Sequence, residues 1–188
     1  TYRAGIVGLG YIGGADQVSG DALGQLVEDL DGTHIAALAN HPRVEVVAGS
    51  SRDSGRRERF TERTGIPTFA AWRELISQPD MDIISIATYA PVHHEITLAC
   101  VEAGIRVVYC EKPIAQTLAE GEGMVSACER AGSLLVINHN RRFHGAMRRL
   151  RDFVAAGGLG DLLDLRLGVA ALGEDTERGI EDQAPVGL

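Results

Sequence analysis

Cysteine is scarce in this 188-residue chain, which holds three: Cys100, Cys110 and Cys128. An odd count without framework spacing excludes a disulfide scaffold and fits a reducing compartment. The chain has no C-x-x-C pair and no histidine-rich tract, so no metal site is implied. No apolar run approaches the roughly 20 residues needed to cross a bilayer. The chain enters a strand directly, without a basic-then-apolar leader. The expectation is a cytoplasmic protein without a membrane partner. Positive charge is also in deficit: Lys and Arg number 18 against 26 Asp and Glu, a formal charge of −8. That balance, with no Lys/Arg stripe, excludes a general nucleic-acid binder. One basic cluster, Arg141, Arg142, Arg148, Arg149 and Arg151, reads as a solvated helix face. Otherwise, 45% hydrophobic and 23% charged residues are ordinary for a globular protein.

Near the amino end, Arg3 to Val7 reads as a short buried strand running into Gly8-Leu9-Gly10-Tyr11-Ile12-Gly13. This is the pattern G-x-G-x-x-G. Gly8 lets the chain reverse tightly, Gly10 lacks a Cβ so that a pyrophosphate can approach, and Gly13 lets the next helix pack against the strand. A helix start there offers N–H groups to phosphates. The competing reading is a strand-to-helix turn with no ligand. Gly14 to Gly24 is rich in Gly, Asp and Ser and reads as a loop. Leu23, Leu26, Val27 and Leu30 recur at helical spacing, and Thr33 to Asn40 is a further helix stopped by His41-Pro42. Part of residues 15–32 reads as an insertion: a surface decoration, or a lid or oligomer contact.

Val44 to Ser50 is a second strand, rich in β-branched residues. In dinucleotide folds, an acidic residue at its end accepts from the ribose hydroxyls and repels a 2′-phosphate; serine and arginine do the reverse. Ser51 occupies the acid's place with Arg52 beside it, so the sequence leans to NADP over NAD. Asp53, turned inward, would restore NAD. The plainer reading of Arg52 is a charge at a helix start. Residues 54–64 form an exposed helix broken at Gly65-Ile66-Pro67, and Ala71 to Ser77 a short amphipathic one. Strands follow at Ile83–Ala87, Arg106–Cys110 and Leu134–Ile137, with helices His93–Ala103 and Leu118–Ala131 between them. Strict alternation predicts an α/β fold, a doubly wound parallel sheet. Ligands bind beyond the carboxyl ends of such strands. Gly8–Gly13, Ser51–Arg52, Thr88–His94, Glu111–Pro113 and Asn138–Arg142 all lie there.

Lys112, set against Glu111 at a strand end, is suited to donate or accept a proton if desolvation tunes it. The alternative is a structural Lys–Glu pair. Pro113 biases Lys112 to extended geometry. Of the adjacent His93 and His94, one is a candidate to reach a nicotinamide, although a histidine at a helix start is more often structural. Asn138, His139 and Asn140 suit a substrate's hydroxyls or ordinary turn chemistry. Cys110 reads as a core residue rather than a nucleophile.

These motifs, with Ile83–Thr88 and Asn138-His139-Asn140-Arg141-Arg142-Phe143, stand in the order of the glucose–fructose oxidoreductase/inositol dehydrogenase/MocA family. The chain resembles that family over residues 2–168. The resemblance implies a Rossmann domain binding NAD(P), and hydride transfer at a carbon bearing a hydroxyl in a sugar or cyclitol. It implies Lys112 as the active-site lysine. It carries cofactor binding onto Gly8, Gly10, Tyr11, Ile12, Gly13, Ser51, Arg52, Thr88, His93, Glu111 and Lys112, and substrate contact onto Asn138 and Arg142. Thr88-Tyr89 replaces the family's usual Thr-Pro. The expected division is a Rossmann domain over 1–140 and, over 141–188, the truncated start of an α+β substrate and oligomerisation domain. Within it lie a helix from Phe143 to Ala156, one strand at 161–169 and a disordered tail at 171–188. One strand cannot make a sheet, and no histidine follows His144 to serve as the family's second-domain histidine. The expected partners are a small sugar- or polyol-like substrate and further copies of the chain, paired through the open edge of 161–169. The alternatives are a non-catalytic dinucleotide-binding module or sensor, and a bare scaffold for protein contacts.

Overall fold

The computed structural model describes residues 1–18 and 32–160. The predicted helix around Leu23–Leu30, the strand at 161–169 and the tail at 171–188 lie outside the described residues. The chain divides into two compact units, Thr1–Arg141 and Arg142–Leu188.

Six strands form the first unit's sheet: β1 (Tyr2–Val7), β2 (Val44–Ser50), β3 (Thr68–Phe69), β4 (Ile83–Ile86), β5 (Val107–Cys110) and β6 (Leu134–Ile137). Their order is β3-β2-β1-β4-β5-β6, and every pairing is parallel. This is the doubly wound order, which reverses direction beside β1. β3 is the one strand the sequence reading lacks. It has two residues and follows Gly65-Ile66-Pro67, so it offers no period to detect.

The helices are α1 (Tyr11–Gly14), α2 (His34–Ala39), α3 (Ser54–Thr64), α4 (Trp72–Ile76), α5 (His93–Glu102) and α6 (Leu118–Ala131). Local chemistry sets their ends. Thr117 and Glu120 form a reciprocal capping box on α6, and Gly132 closes it at φ 70°. Asp53 caps α3 by accepting the Arg56 N–H at 2.9 Å. α1 has only four residues and ends at Ala15, in the left-handed region at φ 56°. The helix after the glycine turn is thus a single turn, and little helix dipole builds up behind it.

Alternate strand residues face opposite layers. On one face Val7, Ile84, Ile86, Val108 and Cys110 meet Leu75, Ile96, Cys100 and Met124 from α4, α5 and α6. On the other, Ile6 packs with Leu9, Ile35 and Phe60 near α2 and α3. Each fully buried Ile or Phe stabilises the fold by about 1.5–3 kcal/mol. The cysteines are free and buried. Burial pushes the Cys110 thiol up to about 12, with the Glu111 charge adding to it, so Cys110 stays protonated and belongs to the core. In the second unit, α7 (Gly145–Ala155) is described, and none of its residues is buried. No helix among the described residues is long and apolar enough to cross a membrane.

Candidate functional site

The sheet register brings the polar clusters level. Val7 pairs with Ser50 and Ile86, Ile86 with Cys110, and Cys110 with Ile137. These are the last residues of their strands. The next residues along, Gly8, Ser51, Ala87, Glu111 and Asn138, therefore form a single rim. Backbone bonds past the strand ends fix it: Gly8 N–H to Ser50 O at 2.9 Å, Glu111 N–H to Ile86 O at 2.9 Å, and Asn138 N–H to Cys110 O at 2.8 Å.

Two glycines of the turn are sterically required. Gly8 has φ 98°, and a Cβ there would lie 2.3 Å from the Ala87 carbonyl oxygen. A Cβ on Gly13 would lie 1.9 Å from the Gly8 oxygen. Gly10 is the residue before α1, with φ −72° and ψ −167°. Tyr11 is half-buried and Ile12 is 45% exposed. Among the described residues, Ser50 Oγ and Thr88 Oγ1 are buried without a hydrogen-bond partner. Ser50 ends β2 and Thr88 follows Ala87, so both flank this rim; Arg3 Nε and Thr97 Oγ1 are likewise unpartnered elsewhere in the fold. A bare glycine turn flanked by unspent hydroxyls fits a nucleotide that brings its own polar atoms.

α3 holds the other side of the turn. Arg59 grips the Asp16 carboxylate through Nε at 2.9 Å and Nη2 at 2.7 Å, and Arg63 donates to the Gly14 carbonyl. Burial raises the Asp16 pKa, but the Arg59 hydrogen bonds and charge outweigh it, and the carboxyl ends below its ordinary value. Arg57 Nη1 donates to Ser51 O at 2.6 Å and to Arg52 O at 3.1 Å, shaping the loop after β2. Arg52 itself is exposed. Asp53 does not turn inward as the NAD alternative requires, because its carboxylate is engaged in capping α3.

A buried network beneath β5 was not anticipated. Glu111 Oε1 accepts from Asn138 Nδ2 at 2.6 Å and from His34 Nε2 at 2.9 Å, and Oε2 accepts the Lys112 N–H at 3.1 Å. The carboxylate only accepts, so His34 carries its proton on Nε2. In the neutral ring Nδ1 accepts from the Ser85 hydroxyl, 2.5 Å away; in the imidazolium it donates to the Ser85 oxygen. The Tyr109 ring packs on His34 with centroids 5.1 Å apart. Burial raises the Glu111 pKa, but hydrogen bonds from His34 and Asn138 and the charge near His34 override it, leaving the carboxyl below its ordinary range.

Expectations change here at Glu111, Lys112, Asn138 and His93. Glu111 does not hold the Lys112 ammonium; its carboxylate takes His34, Asn138 and the Lys112 main chain. The Lys112 side chain is exposed, so the described residues do not desolvate it. One Asn138 N–H is given to Glu111 rather than to a substrate. His93 does not reach out to a ligand: it is 0% exposed, with Nδ1 3.0 Å from Pro113 O and Nε2 3.0 Å from Thr88 O. Arg142 is exposed and belongs to the second unit. Lys112 is the only lysine in the chain; every other cationic side chain of the Lys/Arg type is arginine. The sequence signal for His34 was a polar residue, Ser85, inside an otherwise apolar strand, which needs a buried partner. Among the described residues no cluster could hold a metal. A concavity lined by Tyr2, Asp82, Arg106 and Gly132 lies at the amino ends of the strands, away from this rim.

Known proteins resemble this chain in sequence and fold. The chain is 38% identical over 117 residues to the 1,5-anhydro-D-fructose reductase of Ensifer adhaerens, covering 62% of this chain and 35% of the reductase. The WlbA dehydrogenase of Bordetella pertussis, solved with NADH and UDP-GlcNAcA, superposes at TM-score 0.70 with 25% identity, over 85% of this chain and 41% of the dehydrogenase. The biliverdin reductase of Synechocystis sp. PCC 6803, solved with biliverdin and NADP+, superposes at 0.63 with 25% identity, over 81% and 42%. The chain thus spans well under half the length of these relatives. Residues 2–139 match the model of the Gfo/Idh/MocA oxidoreductases, NAD-binding Rossmann fold, and the chain belongs to that family.

Proposed function

We propose that this chain binds NADP in preference to NAD along the carboxyl rim of the sheet and takes part in oxidoreduction of a sugar- or polyol-like hydroxyl or carbonyl. Gly8, Gly10, Tyr11, Ile12 and Gly13 would carry the diphosphate. Ser51 and Arg52 would take the 2′-phosphate, and Thr88, with its unspent hydroxyl, lies further along the rim. The cofactor supplies hydride chemistry when bound. Lys112 donates or accepts the proton at the substrate oxygen.

The observation that carries this reading is the lone lysine. Seventeen arginines show that positive charge alone is met by arginine in this chain. Arginine cannot release a proton near neutral pH, whereas lysine can. The single retained ammonium stands at the end of β5, where the rim places it.

The test is turnover of a sugar and polyol panel with NADPH or NADP+ by the purified chain, beside Lys112→Arg. Loss of turnover with nucleotide binding retained supports the proton role; equal turnover by the variant refutes it. A second reading is a nucleotide-binding module that leaves the substrate to other residues. It is favoured by the exposure of the Lys112 side chain, which the described residues leave open to solvent. Nucleotide binding with no turnover across the panel would select it. The reading also places residues 1–140 in the nucleotide domain and 141–188 in the start of a substrate domain. It places the chain in the cytoplasm, in keeping with its free thiols, and in a homo-oligomer, which light scattering across concentrations tests.

A further inference from the structure

Lys112 lies between two main-chain anchors, and each ends on a buried histidine. On the amino side, the Lys112 N–H is held by Glu111 Oε2, while Oε1 of the same carboxylate takes His34 and Asn138. On the carboxyl side, the Pro113 carbonyl lies 3.0 Å from His93 Nδ1, whose other nitrogen is 3.0 Å from Thr88 O. His34 is 3% exposed and His93 0%. All four ring nitrogens face protein atoms, so neither ring is placed to touch a ligand.

We infer that His34 and His93 are positioning residues for Lys112: His34 acts through Glu111, and His93 through Pro113. The inference rests on the proton role proposed for Lys112 and names what holds that residue. The chemistry of each ring suits the task. His34 brings a donor to Glu111 and takes the Ser85 hydroxyl behind it, so the carboxylate cannot swing without breaking a buried chain of hydrogen bonds. His93 ties the segment after β4 to the segment after β5. Both its partners are carbonyls, which only accept; a neutral ring donates to one of them and the imidazolium to both. The arrangement has a further effect. With Glu111 occupied by three donors, the neighbouring ammonium is not drawn into an ion pair on its own carboxylate, and it stays available to another molecule.

The lone lysine makes the test direct. Labelling with 15N-lysine gives a single backbone amide resonance, that of Lys112. In the wild type this amide should be shifted downfield and protected by its bond to Glu111. In His34→Leu the resonance should move upfield and exchange about tenfold faster. In His34→Gln, which keeps a donor toward Glu111, it should stay near the wild-type position. His93→Leu should also move it, and His93→Gln, whose carboxamide carries two N–H groups, should restore it. Ile105→Val, a mild core change at the amino end of β5, should leave the resonance in place, which separates positioning from general loss of stability. If a leucine variant does not fold, Asn138→Leu removes another donor to the same carboxylate, Ser85→Ala removes the hydroxyl behind His34, and both should move the resonance likewise. An unmoved resonance, or one moved equally by the leucine and glutamine variants, overturns the assignment. NADPH titration of the wild type is run beside it. Failure to bind nucleotide with the resonance pattern intact overturns the proposed function and leaves the positioning role standing.

Discussion

His34 and Glu111, 77 residues apart in the chain, meet at 2.9 Å between Nε2 and Oε1. The Glu111 side chain is only 12% exposed, so water does not replace a lost partner readily. His34→Ala removes one donor from Glu111 Oε1 and leaves the Ser85 hydroxyl without its partner. A loss of about 2–3 kcal/mol is expected, as for a buried hydrogen bond to a charged group, read as a lower urea midpoint with an unchanged slope.

Glu111 also sets an acid limit. Its pKa in the folded chain lies below the ordinary 4.5, so folding is favoured by the ionised form. That contribution is present above about pH 4.5 and is lost as pH falls through the depressed folded value. Stability measured from pH 6 downward should fall more steeply for the wild type than for Glu111→Gln, whose amide does not titrate. Parallel profiles would refute this.

Arg52 is exposed beside the loop that Arg57 shapes, and the nearest acid, Asp53, is engaged in capping α3. Arg52→Ala should weaken NADPH about tenfold, as loss of a charge-assisted contact to a phosphate does, and leave NADH nearly unchanged. A fluorescence titration of both nucleotides measures the ratio. An equal loss for both would remove the 2′-phosphate role.

Gly8 has no room for a methyl group. A Cβ would meet the Ala87 carbonyl at 2.3 Å, and φ 98° is unfavourable for alanine. Gly8→Ala should cost roughly 2 kcal/mol or more and should abolish nucleotide binding before unfolding the sheet. Calorimetry of the nucleotide-free variant with a parallel binding titration checks both halves.

Most of the sheet was legible because its strands are short apolar runs set between turn residues. Val44–Ser50 came out at its predicted bounds, and β4, β5 and β6 within one residue. The rim was legible for a related reason: parallel strands of similar length end together, so polar residues after each strand gather on one side. The support behind the rim was not legible. No local period joins His34 to Glu111 or His93 to Pro113; those contacts exist only once the crossovers are folded. The reach of His93 was misjudged because position alone does not reveal that two backbone carbonyls enclose the ring.

The scarcity of lysine bears on how this protein is handled at the bench. Amine-directed chemistry, such as ester dyes, aldehyde fixation or coupling to a sensor chip, finds one side-chain target in this chain, and that target is Lys112. Apart from the terminal amine, every such tether would sit on the rim itself. Probes are better attached through an engineered thiol on an exposed surface away from it.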